Sequence, residues 1–491
     1  MKQGPEKRAG SRTANNFFAR SARRMADSSQ RAADAGADLS QLRVATIGPK
    51  GAWIRHLPSQ RFSLTGTTCS EGTGAIPKPD NVFVLCGCAY LSASFWPETI
   101  KAARKALDTH GVGSYDSAPL SGESEHHEQV KDELLKLYRP AGEGAAFLTI
   151  SASMANMTAV PMLVGRGDTI FSDSESHMTL LQGAAMSEAE LVRFRHNDMD
   201  DLERKLITAN DLDPKGQHRR LIMTDGVFSM SGHVCNLPGL VALARRFKCL
   251  LLVDEAHALG ALGPQGRGTA DYWEMDPGCI DIVTGTLAKS VGAQGGYIVC
   301  NTSLAESASY EYTTNRVFSS GVPASITAAA AEVLRQINAT DETLQSDRAT
   351  TNTFRKMYQR QRRNLDILSG YLRKLKLDGI ETEPDDAPAA IRRVVVGDEQ
   401  ALFEIQKRLY LQGVYVLGVV YPAVPKGCDQ FRITVMPSIS QAKMHACGKA
   451  LVNVCRSVLL GPRPDKRVKQ IGAKRGVKNA DSYGAISGLE P

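Results

Sequence analysis

Two short stretches of the chain carry residues whose types and spacing could do chemistry. The first is CLLLVDEAHALG (249–260), an apolar run that ends at Asp254 and is followed three residues later by His257. Ligands of open α/β sheets bind beyond the carboxyl ends of the strands, so a carboxylate at this place could serve a binding site. The same Asp-Glu pair could instead only begin a helix, and both interpretations remain open for this stretch alone.

The second stretch is DIVTGTLAKSVGAQGG (281–296), in which Thr286 precedes Lys289 and glycines follow. A lysine directly after a buried strand is in an unusual place for a solvated charge. Low dielectric and nearby positive charge lower the pKa of an amine and make it nucleophilic toward an aldehyde. A neighbouring hydroxyl group and glycines suit the binding of a phosphate group.

Together the two stretches meet the requirements of a pyridoxal 5'-phosphate (PLP) site. A lysine can hold the aldehyde of this cofactor as a Schiff base, and a carboxylate keeps its pyridine nitrogen protonated so that the ring can accept electrons. Here these residues are Lys289 and Asp254, while His257 can bond the ring hydroxyl and Thr286 the phosphate. We therefore predict PLP as the cofactor. Because the cysteines are scattered without the spacing of a metal site, we predict no metal-binding residues.

The elements that must position these residues are those of an α/β protein. Short apolar runs bounded by turns alternate with helical stretches, which predicts a largely parallel sheet with crossover helices on both faces. The predicted strands are 146–150, 169–172, 220–224, 249–253, 281–284 and 297–300, and the clearest helices are 98–108, 125–138 and 198–208.

A second, smaller α+β unit is predicted near the C-terminus. The polar stretch 335–366 predicts one extended linker helix, and strand candidates follow at 391–396, 414–420 and 431–435. The predicted regions are a basic arm at 1–41, an N-terminal segment at 42–110, a large PLP-binding domain at 111–335, a small domain at 336–460 and a basic tail at 461–491.

The formal charge of +7 on the 491 residues lies at the two ends of the chain. Residues 1–25 carry a net charge of +6 and residues 461–491 carry +4, which leaves the body slightly acidic. This distribution predicts a folded enzyme with solvated tails and argues against a nucleic-acid partner. The basic arm could also be an organellar transit peptide, so the expected location is the cytoplasm with an organelle as the alternative. No stretch predicts a transmembrane segment.

Between about Ala89 and Ser440 the chain carries a dense series of further motifs. They are GVGSYDSAPLSG (111–122), IFSDSESHMTLLQG (170–183), VRFRHNDMDDLE (192–203), DGVFSMSGHVCNLPGL (225–240), VFSSGVPAS (317–325) and AVPKGCDQFRIT (423–434). Together with the two stretches above, they resemble the α-oxoamine synthase family of fold-type I PLP-dependent enzymes. The resemblance implies a large domain with a mostly parallel central sheet, a smaller α+β domain and a homodimer with shared active sites.

The resemblance implies a role in cofactor chemistry for five residues. Lys289 would hold the cofactor and later move the Cα proton of the substrate, and Asp254 would pair with the pyridine nitrogen. His257 and Ser229 would contact the ring hydroxyl. His177 would stack on the ring face and orient the substrate.

The resemblance also implies which residues bind the phosphate and the substrate. Thr286 and the backbone of Ala152-Ser153 would hold the phosphate, and Ser319 or Ser320 would reach it from the neighbouring subunit. Arg432 would bind the carboxylate of an amino acid, which suits a planar bidentate donor.

Three of these residues have a simpler explanation when they are considered without the resemblance. His177 could be an ordinary loop histidine, Ser229 could only cap a turn, and Arg432 could be a surface ion-pair partner.

The chain departs from the family pattern where the phosphate and the substrate would lie. Ala152-Ser153 replaces a glycine and an aromatic residue, Ala118 an arginine, Ala288 a hydroxyl residue and Ile439 a histidine. Since the residues of the cofactor chemistry remain, we expect that chemistry to be intact and the choice of substrate to be atypical.

The activity implied by the resemblance is a decarboxylative condensation. An amino acid would react with an acyl thioester, carried by coenzyme A or an acyl carrier protein, to give an α-amino ketone. The alternative is another fold-type I PLP enzyme, an aminotransferase or an aldol-type lyase, because it would use the same cofactor residues. A non-catalytic partner subunit is disfavoured, because such subunits lose the lysine that this chain keeps as Lys289.

Overall fold

The computed structural model describes residues 27, 31, 46–48, 51–54, 82–310, 313–339, 352–383, 388–421 and 423–461. The basic residues 1–25 and the predicted tail beyond residue 461 lie outside the described residues.

Strands and helices alternate through most of the described chain. The strands are β1 (Thr46–Gly48), β2 (Gly51–Ile54), β3 (Val82–Val84), β4 (Ala145–Thr149), β5 (Thr169–Asp173), β6 (Glu190–Phe194), β7 (Arg220–Asp225), β8 (Leu250–Asp254), β9 (Ile282–Thr286), β10 (Gly296–Cys300), β11 (Ile391–Val395), β12 (Val414–Tyr415), β13 (Leu417–Val419) and β14 (Gln430–Thr434). The α-helices are α1 (Pro97–His110), α2 (Glu125–Tyr138), α3 (Ala152–Leu163), α4 (Met178–Ser187), α5 (Met199–Leu212), α6 (Leu237–Phe247), α7 (Thr269–Tyr272), α8 (Thr302–Ser307), α9 (Thr314–Val317), α10 (Ala324–Asn338), α11 (Thr353–Leu377), α12 (Glu399–Leu411) and α13 (Gln441–Leu459).

The central sheet has seven strands in the order β4-β10-β9-β8-β7-β5-β6. Only β10 among these seven runs against the others, since it pairs antiparallel with both β4 and β9. The prediction of an α/β fold with a mostly parallel sheet is confirmed. The six predicted strands of this sheet match observed strands to within two residues at either end, whereas β6 was not predicted.

The apolar runs of this sheet are continuous because helices cover both of its faces. In β8, Leu251 and Val253 pack into a core with Leu134 of α2, whereas Leu252 packs on the opposite face with Val160 of α3 and Leu180 of α4. Successive side chains of a strand point to opposite faces, so both faces must be apolar for the strand to be buried. The sheet is thereby fixed between two helical layers.

Two smaller sheets complete the described fold. β11, β14 and β13 form an antiparallel sheet that shares a core with α11, α12 and α13. In the other sheet β3 pairs in parallel with β12, so the segment before α1 is joined to the C-terminal part of the chain. The domain borders given above stay a prediction.

The predicted single helix over 335–366 is wrong. α10 ends at Asn338, and α11 begins at Thr353 behind Asn352, whose side-chain oxygen accepts a hydrogen bond from the backbone N–H of Arg355. Asn, Asp, Ser and Thr side chains compete with helical backbone bonds, so a polar run rich in them can end a helix without glycine or proline. Residues 340–351, between the two helices, lie outside the described residues.

The predicted strand 414–420 is divided between two sheets. β12 pairs with β3, and β13 pairs with β14. A hydrophobic pattern shows that a stretch is extended and buried, but it does not show which neighbour the stretch pairs with. In the part of the chain that the structure describes, none of the helices is long and apolar enough to span a bilayer.

Candidate active site

The carboxyl ends of three parallel strands bring the candidate residues together. In the strand register Asp225 of β7 lies beside Asp254 of β8, and Asp254 lies beside Thr284 of β9. β9 ends two residues later at Thr286, and the following turn carries Lys289. The two stretches singled out in the sequence therefore meet at one edge of the central sheet.

Asp254 is buried, with 3% of its surface exposed, and its two carboxylate oxygens are held separately. Oδ1 accepts a hydrogen bond from the backbone N–H of Ala256 at 2.9 Å, and Oδ2 accepts one from Asn156 Nδ2 at 2.7 Å. The Thr284 hydroxyl donates to Asn156 Oδ1 at 2.6 Å and so orients that amide. These bonds fix the direction in which the carboxylate points.

Lys289 lies at the end of a chain of hydrogen bonds. Its Nζ atom is 2.8 Å from His257 Nε2, and His257 Nδ1 is 2.7 Å from the hydroxyl of Tyr90. The same hydroxyl accepts a bond from Arg432 Nη2 at 3.3 Å. Because an arginine can only donate, the Tyr90 proton is available for His257 Nδ1. In the tautomer in which His257 Nδ1 accepts from Tyr90, Nε2 carries the proton that faces Lys289 Nζ.

The pKa values of Lys289 and His257 are both lower than the ordinary values of these groups. Burial lowers the pKa of Lys289 by more than the negative charge of Asp254 raises it. Burial, followed by the charge of Lys289, holds the pKa of His257 well below its ordinary value. Only a neutral lysine has the lone pair needed to attack an aldehyde or to accept a proton.

His177 lies at the start of α4 and borders the same site. Its Nδ1 atom is 2.8 Å from the Thr179 hydroxyl, and its backbone N–H donates to Asp225 Oδ2 at 2.9 Å. Burial and the charge of Lys289 lower the pKa of His177, although Asp254 opposes them. Burial and the neighbouring Asp254 raise the pKa of Asp225 well above its ordinary value. A neutral imidazole ring is therefore held beside the strand ends.

The start of α3 offers a place for a phosphate group. Ala152 and Ser153 form the first turn behind Ser151, which caps the helix through Met154 N–H at 3.3 Å. This turn packs closely against Gly296 of β10. A Cβ atom at residue 296 would lie 2.3 Å from the carbonyl oxygen of Ser151, so the close packing requires glycine there. Backbone N–H groups at the start of a helix bind phosphate groups favourably.

Thr286 lies at the end of β9, beside this turn. Its hydroxyl donates to the carbonyl of Gly295 at 3.2 Å and accepts from the backbone N–H of Ala288 at 3.1 Å. Thr286 is buried, and these two hydrogen bonds fix the position of its hydroxyl group.

Three predicted site residues, Ser229, Ser319 and Ser320, have no side-chain hydrogen bond to the residues around Lys289 in the part of the chain that the structure describes. Ser229 contacts Arg432 through its backbone carbonyl, which accepts from Nε at 2.6 Å. Ser319 and Ser320 lie in a surface depression that also includes Ala118 and Thr149. Within the described residues, neither serine hydroxyl is hydrogen-bonded to the residues around Lys289.

Sequence reasoning missed Tyr90, Asn156 and Asp225. Asp225 ends an apolar run, RLIMTD, as Asp254 does, so the rule applied to Asp254 could have found it. Asn156 is a polar residue on a mostly apolar helix, which is a weak signal. No sequence signal pointed to Tyr90, because its partners His257 and Arg432 are far away in sequence.

The residues present fit PLP. This cofactor requires a desolvated amine, a buried and hydrogen-bonded carboxylate, and a neutral imidazole. It also requires the N-terminus of a helix for its phosphate, with a glycine packed closely against that turn. The fold and the site together define a fold-type I PLP-dependent enzyme.

Comparisons with known proteins agree with this class. Residues 81–451 match the family model described as aminotransferase class I and II. The chain is 32% identical over 396 residues to an 8-amino-7-oxononanoate synthase of Geobacter sulfurreducens, a match that covers 80% of this chain and 93% of that protein. It is 33% identical over 396 residues to one of Thermoanaerobacter pseudethanolicus, covering 80% and 92%.

Solved structures give the same result. A serine palmitoyltransferase of S. paucimobilis, solved with a bound PLP–myriocin aldimine, superposes with a TM-score of 0.74 at 26% identity and covers 88% of this chain and 97% of that one. The serine palmitoyltransferase of Sphingomonas wittichii has a TM-score of 0.72 at 26% identity, with coverage of 87% and 94%. The chain belongs to the α-oxoamine synthase family. It is a PLP-dependent acyltransferase of the kind that condenses an amino acid with an acyl thioester, with loss of CO₂.

Proposed function

We propose that Lys289 carries PLP covalently and moves the Cα proton of the amino acid during the condensation. The observation that carries the proposal is the 2.8 Å contact between Nζ of the partly buried Lys289 and Nε2 of the buried His257, beside the buried Asp254. Bound PLP supplies an electron sink that stabilises negative charge at the Cα atom. The lowered pKa of Lys289 favours the neutral amine, which can accept the Cα proton and return it to the product.

Asp254, His257 and His177 hold their parts of the site in one orientation. Asp254 would face the pyridine nitrogen, because Asn156 and the backbone of Ala256 fix its two oxygens. His257 would bond the ring hydroxyl, with Ser229 as its neighbour. His177, tied to Thr179 and Asp225, would lie against the ring and limit how the substrate rotates. Orientation of the bond to be broken is the main contribution of such a site to the rate.

The phosphate would be held by the helix start at Ala152-Ser153 and by Thr286. The helix supplies backbone N–H groups, and the threonine supplies a hydroxyl group. Ser319 or Ser320 would complete the phosphate site from the second subunit of a homodimer. Both serines line a surface depression with Thr149, and among the described contacts neither hydroxyl bonds a residue around Lys289 in its own chain, which supports this assignment.

Arg432 would bind the carboxylate of the amino acid. Arg432 is 4% exposed; its Nε atom donates to the carbonyl of Ser229, and its Nη2 atom donates to the hydroxyl of Tyr90 and the sulfur of Cys88. Among the described contacts, the N–H groups of Nη1 remain to bind a carboxylate, and hydrogen bonds between a guanidinium and a carboxylate are strong because both groups are charged. In the condensation the carbon–carbon bond forms at the thioester carbonyl, the thiol leaves, and the carboxylate is lost as CO₂.

Replacement of the lysine tests the proposal directly. We expect Lys289→Ala to lose the visible absorbance of covalently bound cofactor and the release of thiol from acyl thioesters. Lys136→Ala, which changes an exposed lysine on α2, is the control and should retain both. A Lys289→Ala enzyme that keeps both signals contradicts the assignment. An acyl-independent exchange of amino groups in the parent enzyme would instead favour the aminotransferase alternative.

The shared site predicts complementation between two inactive subunits. Lys289→Ala and the double variant Ser319→Ala, Ser320→Ala, when refolded together, should recover cofactor binding and activity in mixed dimers. If mixed samples show only the sum of the separate activities, the serines do not act across the dimer.

The substrate can be identified by a screen of the holoenzyme. Each of the twenty amino acids is added, and the change in cofactor absorbance is recorded with and without acyl-coenzyme A or acyl carrier protein. We further propose a cytoplasmic location, with an organelle as the alternative. Fluorescent fusions with and without residues 1–25 distinguish these two locations.

A further inference from the structure

Two histidines and a glutamate form a cluster beyond the ends of β5, β6 and β7, outside the site described above. Glu175 follows β5, His196 follows β6, and His233 lies in the loop after β7. His196 Nε2 is 2.8 Å from His233 Nδ1 and 3.7 Å from Glu175 Oε2. One ligand atom from each of the three residues lies within 4.8 Å of the others. Two imidazole nitrogens and a carboxylate oxygen thus converge on one point.

The outer nitrogen of each histidine faces a carboxylate. His196 Nδ1 is 3.0 Å from Asp173 Oδ1, and His233 Nε2 is 3.7 Å from Glu383 Oε2. Asp173 and Glu383 are both buried. Histidines that bind metals almost always donate their outer N–H to such a group, which fixes the ring and the tautomer. The same arrangement here directs the inner nitrogens of both rings toward each other and toward Glu175.

The cluster is held by contacts that do not depend on a ligand. Asp173 also accepts hydrogen bonds from the backbone N–H groups of Glu175 and Asn197, at 2.8 and 2.9 Å. The side chain of Asn197 donates to the carbonyl of Val234 at 3.0 Å, which ties the loop of His196 to that of His233. The Glu175 carboxylate accepts from the Ser231 hydroxyl at 3.2 Å. All three potential ligands are therefore pre-positioned.

The charge around the cluster favours a divalent cation. Three carboxylates, those of Asp173, Glu175 and Glu383, surround the two imidazoles, and one positive group, Arg393, is paired with Glu383. His233 and Glu175 have 33% and 35% of their side chains exposed, so solvent can reach the point where the three ligands meet. A water molecule could therefore occupy a fourth position.

We infer that Glu175, His196 and His233 form a binding site for Zn²⁺, with water as the fourth ligand. Two nitrogens and one carboxylate oxygen with an open fourth position are a common zinc ligand set. Zinc–nitrogen bonds of about 2.0–2.1 Å require the two ring nitrogens to move apart by about 0.5 Å. The proton that the rings share at 2.8 Å leaves to solvent when the metal binds. Because Glu175 lies two residues before His177, the bound ion restrains the loop that carries His177.

Zinc binding to the PLP-loaded enzyme tests this site. The holoenzyme is freed of metal with a chelator and dialysed against micromolar Zn²⁺. Bound zinc is then measured by mass spectrometry, and its affinity by competition with a chromophoric chelator. We expect His196→Asn, His233→Asn and Glu175→Gln each to lose one equivalent of zinc relative to the parent enzyme. A large excess of Mg²⁺ should not displace it, because imidazole is a poor ligand for magnesium.

Two controls make the result specific. His126→Asn alters a different group of potential ligands, formed with His110 and Glu125, and should keep the equivalent that the site variants lose. Glu383→Gln removes a supporting carboxylate without removing a ligand, and the zinc affinity should fall about 10- to 100-fold. The inference is overturned if the parent enzyme binds no zinc, or if His233→Asn and Glu175→Gln bind it as the parent does. It is also overturned if His126→Asn, and not these variants, loses the equivalent.

Discussion

The Nζ atom of Lys289 lies 2.8 Å from the Nε2 atom of His257. This contact ends a chain of hydrogen bonds that begins at Arg432 and passes through Tyr90. The proposed cofactor lysine and the proposed substrate arginine are thus connected through two side chains. The residues come from the central sheet, the small antiparallel sheet and the segment after β3. A substitution at one end of this series of hydrogen bonds should therefore change the position or protonation of the residue at the other end.

Replacing Tyr90 with Phe should affect both cofactor chemistry and substrate binding. The change removes the hydroxyl that accepts from Arg432 and donates to His257, so the imidazole loses its fixed tautomer and the guanidinium loses an anchor. We expect kcat to fall about 10-fold and KM for the amino acid to rise, with about 1 kcal/mol lost in the free energy of unfolding. Steady-state kinetics and denaturant unfolding measure these changes.

Tyr138→Phe provides the matched control for this change. Its hydroxyl is buried and bonds the hydroxyl of Tyr297 at 2.9 Å, and it is not hydrogen-bonded to Lys289, His257 or Arg432. The stability loss should be similar, but kcat and KM should stay at parent values. If both variants have the same kinetics, Tyr90 has only a structural role.

Replacing Asn156 with Ala should weaken the binding of PLP. Asp254 Oδ2 would lose its 2.7 Å hydrogen bond in a buried place, which makes the charged carboxylate less favourable there. We expect a kcat about 10- to 100-fold lower, weaker cofactor retention on dialysis, and a shift in the pH dependence of the cofactor absorbance.

Asn364→Ala is the control for this prediction, because Asn364 is also buried and donates to two backbone carbonyls in the small domain region. It should lower stability without shifting the absorbance profile. An unshifted profile in Asn156→Ala would show that Asn156 does not act through Asp254.

Replacing Arg432 with Lys should impair the reaction although the charge is kept. A lysine cannot replace the contacts of the guanidinium with Ser229 and Tyr90 and at the same time donate to a carboxylate. We expect kcat/KM for the amino acid to fall about 10- to 100-fold, whereas KM for the acyl thioester should change little. Arg392→Lys, on the neighbouring strand β11, controls for the loss of a buried guanidinium. Equal losses for both substrates would argue against carboxylate binding by Arg432.

Stability should fall with rising pH because of Glu255. This residue is 1% exposed, and burial raises its pKa from 4.5 to about 7. Because the pKa of Glu255 is higher in the folded state than in the unfolded state, its contribution to the free energy of unfolding is complete below pH 4.5. That contribution is lost as the pH rises to about 7, where Glu255 must ionise in a buried place. Relative to Glu255→Gln, the parent protein should lose about 2 kcal/mol in the free energy of unfolding between about pH 5 and pH 8.

Denaturant unfolding at several pH values checks this prediction. Glu190→Gln, on the exposed start of β6, serves as the control and should follow the parent at every pH. A constant difference between the parent and Glu255→Gln across this range would contradict the prediction.

The sequence alone determined the class of fold and the residues that we propose for the cofactor site. Lys289, Asp254 and His257 each follow an apolar strand within a few residues, and the carboxyl ends of parallel strands must lie at the same edge of a sheet. Local spacing and one topological rule are therefore enough to bring these three together. The same logic would have found Asp225.

Only the tertiary structure decided which groups support these residues. Tyr90 and Asn156 reach the site from segments that local spacing does not connect, because their positions depend on how α3 and the segment after β3 pack. Packing between distant segments also explains why 414–420 is divided between two sheets and why α10 and α11 are separate helices. Hydrophobic periodicity describes one segment at a time, whereas strand pairing and helix ends depend on contacts with distant parts of the chain.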